Sequence, residues 1–280
     1  PCIHHGVTPP CTNIIIKKKI KNVFYGFEDP DLRTFKKAKK ILNTKGIKSK
    51  LIKSKKYNNF YRSYLINKKF KIPFISAKIA ISKDYFTINK KEKWITNIFS
   101  RRITHLIRSR HDGIISTSKS INFDNALLNC RIEGFNKYKP DLFIVDLNLK
   151  LKKKLLMNKI LKKRKTYLIT YKTNIKKAQI YKKKGYRIIF VNSLINKNDF
   201  NLLFKKIYKM GYSRILVEAG LTFLNTLIKN RLINDLYIFN ANYNLKKKGQ
   251  NNASLKYLKS IKSKQMSINL NNDKLYKKEF

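Results

Sequence analysis

The sequence predicts an α/β protein: one full-sized domain behind a smaller αβ piece. Two observations predict it. From residue 73 onward, short β-branched and aromatic runs alternate with stretches of helical periodicity, without an internal repeat. The 280 residues, 42% of them hydrophobic, suffice for one packed domain plus part of another. No run approaches the ~20 apolar residues of a membrane span, and no signal peptide is visible.

Taken in order, residues 11–20 read as a helix beginning at Cys11, and 22–27 as a strand followed by the turn Glu28-Asp29-Pro30-Asp31. Residues 33–45 form the next expected helix, stopped by Gly46, and 47–52 a short strand. Residues 53–71 are basic, aromatic and asparagine-rich, with neither glycine nor proline, and read as a connecting helix. Beyond Pro73, strands are expected at 74–81, 113–117, 142–147, 166–170, 186–191, 214–218 and 235–240. Helices are expected at 97–110, 174–184, 199–210 (with Gly211 as its stop) and 222–229. The alternation implies a mostly parallel central sheet. The tail after Gly249 is polar and carries little signal.

The formal net charge is +50. A nucleic-acid surface would gather cations, arginine above all, on one face. Here lysine far outnumbers arginine and is spread evenly among isoleucine, asparagine and leucine, the pattern of A/T-rich codons. A basic nucleic-acid-binding protein is therefore the competing reading rather than the leading one. The charge itself favours anionic, phosphorylated ligands by long-range steering. Three cysteines, two of them close together, argue for a reducing cytoplasmic setting over a disulfide scaffold, with Cys130 a buried thiol.

Two motifs carry chemistry. The opening PCIHHGVTPPC places Cys2 and Cys11 around two histidines and a glycine, a turn that can aim two thiolates at one zinc ion, with Cys11 at the positive end of a helix. Two ligands are too few for zinc, and the third is expected upstream of Pro1. In the later region, Arg214-Ile-Leu-Val-Glu218-Ala-Gly220 is a buried strand ending in an acid, then a glycine turn into a helix whose first N–H groups can cradle a pyrophosphate. No G-x-G-x-x-G is present, so a Rossmann cofactor site is not supported. Trp94, the only tryptophan, offers a flat wall for a planar ring, and Arg108 and Arg131 stand out in a lysine-rich chain as planar anion forks.

The opening segment resembles the bifunctional riboflavin-biosynthesis deaminase/reductase family, whose pattern is P-C-x-H-x-G-x-T-P-P-C, with Val7 departing from the usual lysine or arginine. The later region resembles the reductase half of the same family. It shows A-K-I-A-I-S-K-D at 77–84 (Tyr85 replaces a glycine), W-I-T at 94–96, V-E-A-G at 217–220 and N-D-L at 234–236. The resemblance implies a cytidine-deaminase-like remnant at 1–55, a connecting segment at 56–72 and a dihydrofolate-reductase-like mixed-sheet reductase domain at 73–280.

It implies zinc on Cys2 and Cys11, with His4 meeting a pyrimidine nucleotide. It assigns Arg108, Leu128, Arg131 and Glu218 to the substrate, and we assign the planar anion forks of the two arginines to its ribose phosphate. NADPH falls to Ala80, Trp94, Ser120, Asp124, Gly220, Leu221, Thr222 and Thr226, and Lys78 and Asp124 are the catalytic candidates. Ala126, Leu147 and Glu92 depart from the family pattern. The family's H-x-E, source of the third zinc ligand and the proton-shuttling glutamate, is absent here, so the chain as it stands is not expected to deaminate. The implied reaction is NADPH-dependent reduction of 5-amino-6-(5-phosphoribosylamino)uracil to its ribitylamino counterpart. The expected partner is this small phosphorylated pyrimidine, with neither nucleic acid nor membrane, in a homo-oligomer.

Overall fold

The structure is a computed structural model that describes residues 1–137, 139–253 and 263–280. The chain divides into two compact units, Pro1–Ile72 and Pro73–Phe280.

The first unit runs α1 (Cys11–Lys17), β1 (Asn22–Tyr25), α2 (Lys37–Thr44), β2 (Lys48–Leu51) and α3 (Lys55–Phe70). β1 and β2 pair in parallel, with Val23 opposite Ser49. Its buried apolar residues are few: Ala38, Leu42 and Ile47. α2 starts four residues later than expected because Asp31 accepts the Arg33 amide at 3.1 Å and its guanidinium, fixing a turn that Lys36 leaves at φ 58°. α3 occupies the expected connecting helix. Ser54 caps it, Tyr64 donates to Asp29 Oδ1 at 2.9 Å, and the Tyr61 ring stacks on Phe27, so the helix is tied into this unit.

The second unit contains β3 (Phe74–Ile81), β4 (Phe86–Asn89), α4 (Ile98–Ser109), β5 (Gly113–Thr117), α5 (Ser118–Asp124), β6 (Asp141–Val145), β7 (Thr166–Tyr171), α6 (Ile175–Lys183), β8 (Arg187–Val191), α7 (Lys197–Lys209), β9 (Arg214–Val217), α8 (Leu221–Lys229), β10 (Asp235–Asn240), β11 (Gly249–Asn252), β12 (Lys264–Gln265) and β13 (Lys274–Glu279). Among the described residues, nine strands form one sheet in the order β12-β13-β10-β3-β9-β5-β6-β7-β8. From β10 to β8 every pairing is parallel; β13 runs antiparallel to β10 and to β12, so the sheet is mixed. The parallel strands read as continuous apolar runs because helices and loops cover both of their faces.

The tail after Gly249 is a correction. It holds three strands, and β13 places Leu275 in the core while its lysines stay partly open. Lys277 pairs with Asp235 at 3.0 Å, and Asp273 just before β13 accepts from the Asn97 amide and the Ser100 hydroxyl, securing the start of α4. One sheet face carries a core of Ile114, Leu142, Ile144, Leu168, Leu216 and Phe239, roofed by Ile107 of α4, Ile121 of α5 and Leu128 of the loop that follows. The functional candidates gather at the edge of this core.

Candidate active site

At the C-terminal ends of β3, β5 and β9 the backbone leaves the sheet. Ligands of open α/β sheets bind outside such ends. Glu218 follows β9 directly, its amide held by the Ile115 carbonyl of β5 at 3.0 Å. Arg108, in the last turn of α4, meets it with both edges of the carboxylate occupied: Nε to Oε1 at 2.6 Å and Nη2 to Oε2 at 2.9 Å. Both side chains are at most 10% exposed. Burial pushes the Glu218 carboxyl upward, and the Arg108 guanidinium more than reverses this, holding it below the usual carboxylate range.

Lys78 lies mid-strand on β3, half-buried, with Nζ 5.6 Å from the Phe239 ring centroid. Burial lowers its pKa, against the attraction of Glu218 and with the repulsion of Arg108. Among the described residues Nζ has no hydrogen-bond partner, which leaves its protons available to a ligand. Asp124 ends α5 on the rim of a cleft of about 380 Å³ that is also lined by Asn89, Glu92, Lys93 and Ile95. The surrounding protein desolvates its carboxyl and raises its pKa, while Lys93 and Lys78 pull it back.

A second cluster joins α5 to α8. The Gly220 amide donates to Ser120 Oγ at 2.9 Å, and Ser120 Oγ lies 3.1 Å from Thr117 Oγ1, the cap of α5. Gly220 is the N-cap of α8, where the Leu221 and Thr222 amides have no backbone acceptor, as at any helix start. A Cβ at 220 would stand 3.4 Å from Ser120 Oγ, an ordinary contact. Thr226 bonds back to the Thr222 carbonyl at 3.0 Å, one turn along. This donor-rich helix start suits the pyrophosphate of a dinucleotide. Ala80 is packed beside the core, and Trp94 is 49% exposed with the Arg101 guanidinium 5.0 Å from its ring centroid.

The two arginines part company. Arg108 was expected at a phosphate, but its bidentate edge already holds a carboxylate of the protein, and Nη1 donates to the Asn129 carbonyl at 3.0 Å. Arg131 is exposed and, among the described residues, makes one side-chain contact, to Asn129 Oδ1 at 3.0 Å, leaving an open guanidinium. Leu128 is buried, at φ 50°. Asn129, which carried no sequence signal, clamps both arginines and donates to the Lys137 carbonyl at 2.8 Å. His105 is half-buried against this clamp: the Arg131 amide donates to its Nδ1, and burial with Arg108 nearby lowers its pKa to about 4. A larger groove, about 610 Å³, is lined by Tyr167, Lys182, Tyr186, Arg187 and Phe190 near the β8 edge and contains none of these residues.

In the first unit, Cys2 and Cys11 place their sulfurs 3.2 Å apart, and the Cys11 amide donates to Cys2 Sγ at 3.2 Å. Hydrogen bonds from Cys2 lower the Cys11 pKa. His4 turns to the Thr34 hydroxyl at 3.0 Å, and Val7 is fully exposed. Among the described residues no three His, Cys, Asp or Glu side chains cluster as a metal ion would need. Two thiolates fit half a tetrahedron and do not by themselves make a zinc site.

The family model described as the RibD C-terminal domain matches residues 73–245. The chain belongs to the RibD family. Riboflavin biosynthesis protein RibD of Buchnera aphidicola subsp. Baizongia pistaciae is 30% identical over 262 residues, 86% of this chain and 68% of the relative. RibD of Actinobacillus pleuropneumoniae is 24% identical over 247 residues, 86% of this chain and 64% of the relative. The chain thus spans about two thirds of the length of these relatives. A solved Thermotoga maritima structure, a diaminohydroxyphosphoribosylaminopyrimidine deaminase/5-amino-6-(5-phosphoribosylamino)uracil reductase, is similar in fold. Its TM-score is 0.78 at 20% identity, covering 100% of this chain and 77% of that one. No helix among the described residues is long and apolar enough to cross a membrane.

Proposed function

We propose that the second unit is a reductase of riboflavin biosynthesis, using NADPH to reduce 5-amino-6-(5-phosphoribosylamino)uracil to the ribitylamino compound. The observation that carries this reading is the convergence of Lys78, Asp124 and the Arg108–Glu218 pair beside the Ser120–Gly220 junction, in a unit that matches the RibD C-terminal domain. NADPH, when bound, supplies a hydride. The amides of Leu221 and Thr222, with Ser120 and Thr226, would hold its phosphates, Trp94 and Ala80 would flank its ring, and Asp124 would meet it at the cleft rim.

The chain's own residues bind the sugar and manage protons. Ring opening breaks the C1′–O4′ bond as the glycosylamine nitrogen forms a C=N bond, and O4′ takes a proton. Hydride then adds to C1′, and the nitrogen takes the second proton; the nitrogen gave up one on opening, so one proton is consumed overall. Lys78, its ammonium made more acidic by burial, would give a proton to O4′. Glu218, kept ionised by Arg108, accepts sugar hydroxyls and balances the charge of Lys78. Arg131, with the open guanidinium, takes the ribose phosphate, while the Leu128 side chain stays in the core.

The test is oxidation of NADPH by the purified chain in the presence of this nucleotide, with formation of the ribitylamino product; a folded sample that consumes no NADPH would refute the reading. The first unit is the corresponding part of a pyrimidine deaminase. Deamination would need the H-x-E element on the same zinc ion.

A further inference from the structure

Arg164 is the other buried arginine of the second unit, 2% exposed, in the turn just ahead of β7. Among the described residues it has no carboxylate in contact. Asp141 and Glu218 attract it from beyond ion-pair distance, so its buried N–H groups need other acceptors. Its donors go instead to three main-chain carbonyls. Nε donates to Pro140 at 2.7 Å, Nη2 to Leu128 at 2.8 Å, and Nη1 to Leu127.

Those carbonyls lie at the two ends of one loop, the segment that carries Asn129 and Arg131. Leu128 sits in the left-handed region that a branched side chain rarely adopts, with its side chain in the core and its carbonyl on Arg164. One residue on, the Asn129 carbonyl receives Arg108 and its side-chain oxygen receives Arg131. The connection runs from Arg164 through Leu128 and Asn129 to the Arg108–Glu218 pair. A planar fork with donors on several edges can bind three carbonyls at once; an ammonium is a point charge and cannot reproduce that geometry.

We propose that Arg164 is a positioning residue for the phosphorylated substrate: it ties the Leu127 and Leu128 carbonyls to that of Pro140, so that Asn129 and Arg131 are presented to the site in one conformation. The assignment rests on the reductase reading above. Arg164 touches neither substrate nor cofactor; it acts through the loop.

The experiment compares the full chain with R164M and R164K, measuring KM for the phosphoribosylaminouracil, KM for NADPH, kcat, thermal midpoint and amide hydrogen exchange. For R164M, substrate KM should rise about ten-fold, the usual scale for losing charge-assisted hydrogen bonds. NADPH KM and kcat should stay within about two-fold, while the thermal midpoint falls modestly, because three main-chain carbonyls lose their donor. Exchange should accelerate at residues 127–131 and not in the strands. R164K should resemble R164M despite keeping the charge, and it carries the same readouts if R164M does not fold. Unchanged substrate KM in an active variant would overturn the proposal, as would a parallel loss of midpoint, kcat and both KM values, which marks a purely structural residue. An inactive wild-type chain would instead refute the reductase reading. Exchange then decides alone: acceleration confined to 127–131 supports the loop tie, and a uniform change refutes it.

Discussion

The two units present their chemistry in opposite ways. The first displays an uninterrupted eleven-residue motif whose side chains are half-buried or exposed, with Cys11 and His5 exposed, two sulfurs in contact and His4 turned to Thr34. The second scatters its candidates across more than a hundred positions and then buries them together: Arg108 and Glu218 are 110 residues apart in sequence and 2.6 Å apart in space. A contiguous motif names a chemistry without building a site. A site is built when low-dielectric surroundings and reciprocal partners fix charged groups in place, as the second unit does.

Breaking the buried pair is the severest test of that contrast. Glu218→Gln leaves the Arg108 guanidinium uncompensated, and removing one partner of a buried pair costs about 3–5 kcal/mol. Both the denaturation midpoint and reductase turnover should fall steeply. A variant with native stability and activity would show that the pair is ornamental. Arg108→Lys keeps the charge and loses the fork, so it should be impaired almost as badly.

Next in size is Arg131→Lys, expected to lose about 1–3 kcal/mol in kcat/KM for the phosphorylated substrate while stability is unchanged. A panel of exposed lysine-to-glutamine variants, assayed at low and high salt, provides the comparison. If every lysine variant matches Arg131→Lys, diffuse charge rather than this guanidinium holds the phosphate.

Acid sharpens the contrast from another side. His105 and the buried His111 both have pKa values lowered to about 4 by burial, from 6.5. The unfolded chain therefore binds more protons than the folded one as pH falls through 6 toward 4, and stability declines over that window. A tenfold change in a group's proton affinity on folding corresponds to about 1.4 kcal/mol between its protonation states. Urea midpoints measured from pH 7 to pH 4 should show this slope, and His111→Gln should flatten it; an unaltered slope would contradict the assignment.

The smallest expected effect lies in the first unit. Zinc added to the purified chain should be stripped by a mild chelator, since two thiolates leave half the tetrahedron to water. Stoichiometric zinc surviving that challenge would mean that His4 or His5 swings in as a ligand.

Much of the second unit was legible because parallel strands buried on both faces read as apolar runs. The strands expected at 74–81, 113–117 and 235–240 match β3, β5 and β10 residue for residue. β13 was not legible: KLYKKE buries one side chain fully and reads as a polar tail, and only its place beside β10 makes it a strand. α5 was missed because seven residues, SKSINFD, give too little periodicity. The site followed the same division. Lys78, Asp124, Arg108 and Glu218 could be named from family-like motifs, whereas the mutual capture of Arg108 and Glu218 depends on α4 and β9 meeting in space. Arg164 and, toward Arg108, Asn129 work through main-chain carbonyls, which any residue supplies, so no pattern of side chains announces them.

The proposed reductase has its working centre in the buried Arg108–Glu218 pair and Lys78, and single-turnover chemistry tests that assignment at its root. NADPH oxidation would be followed by absorbance, with 5-amino-6-(5-phosphoribosylamino)uracil and the wild-type, Lys78→Met and Glu218→Gln chains, each first shown to be folded. Stoichiometric oxidation is expected from the wild type, with a rate lowered by about a hundred-fold or more in both variants. Wild-type turnover that survives unchanged in a folded Lys78→Met chain would overturn the assignment.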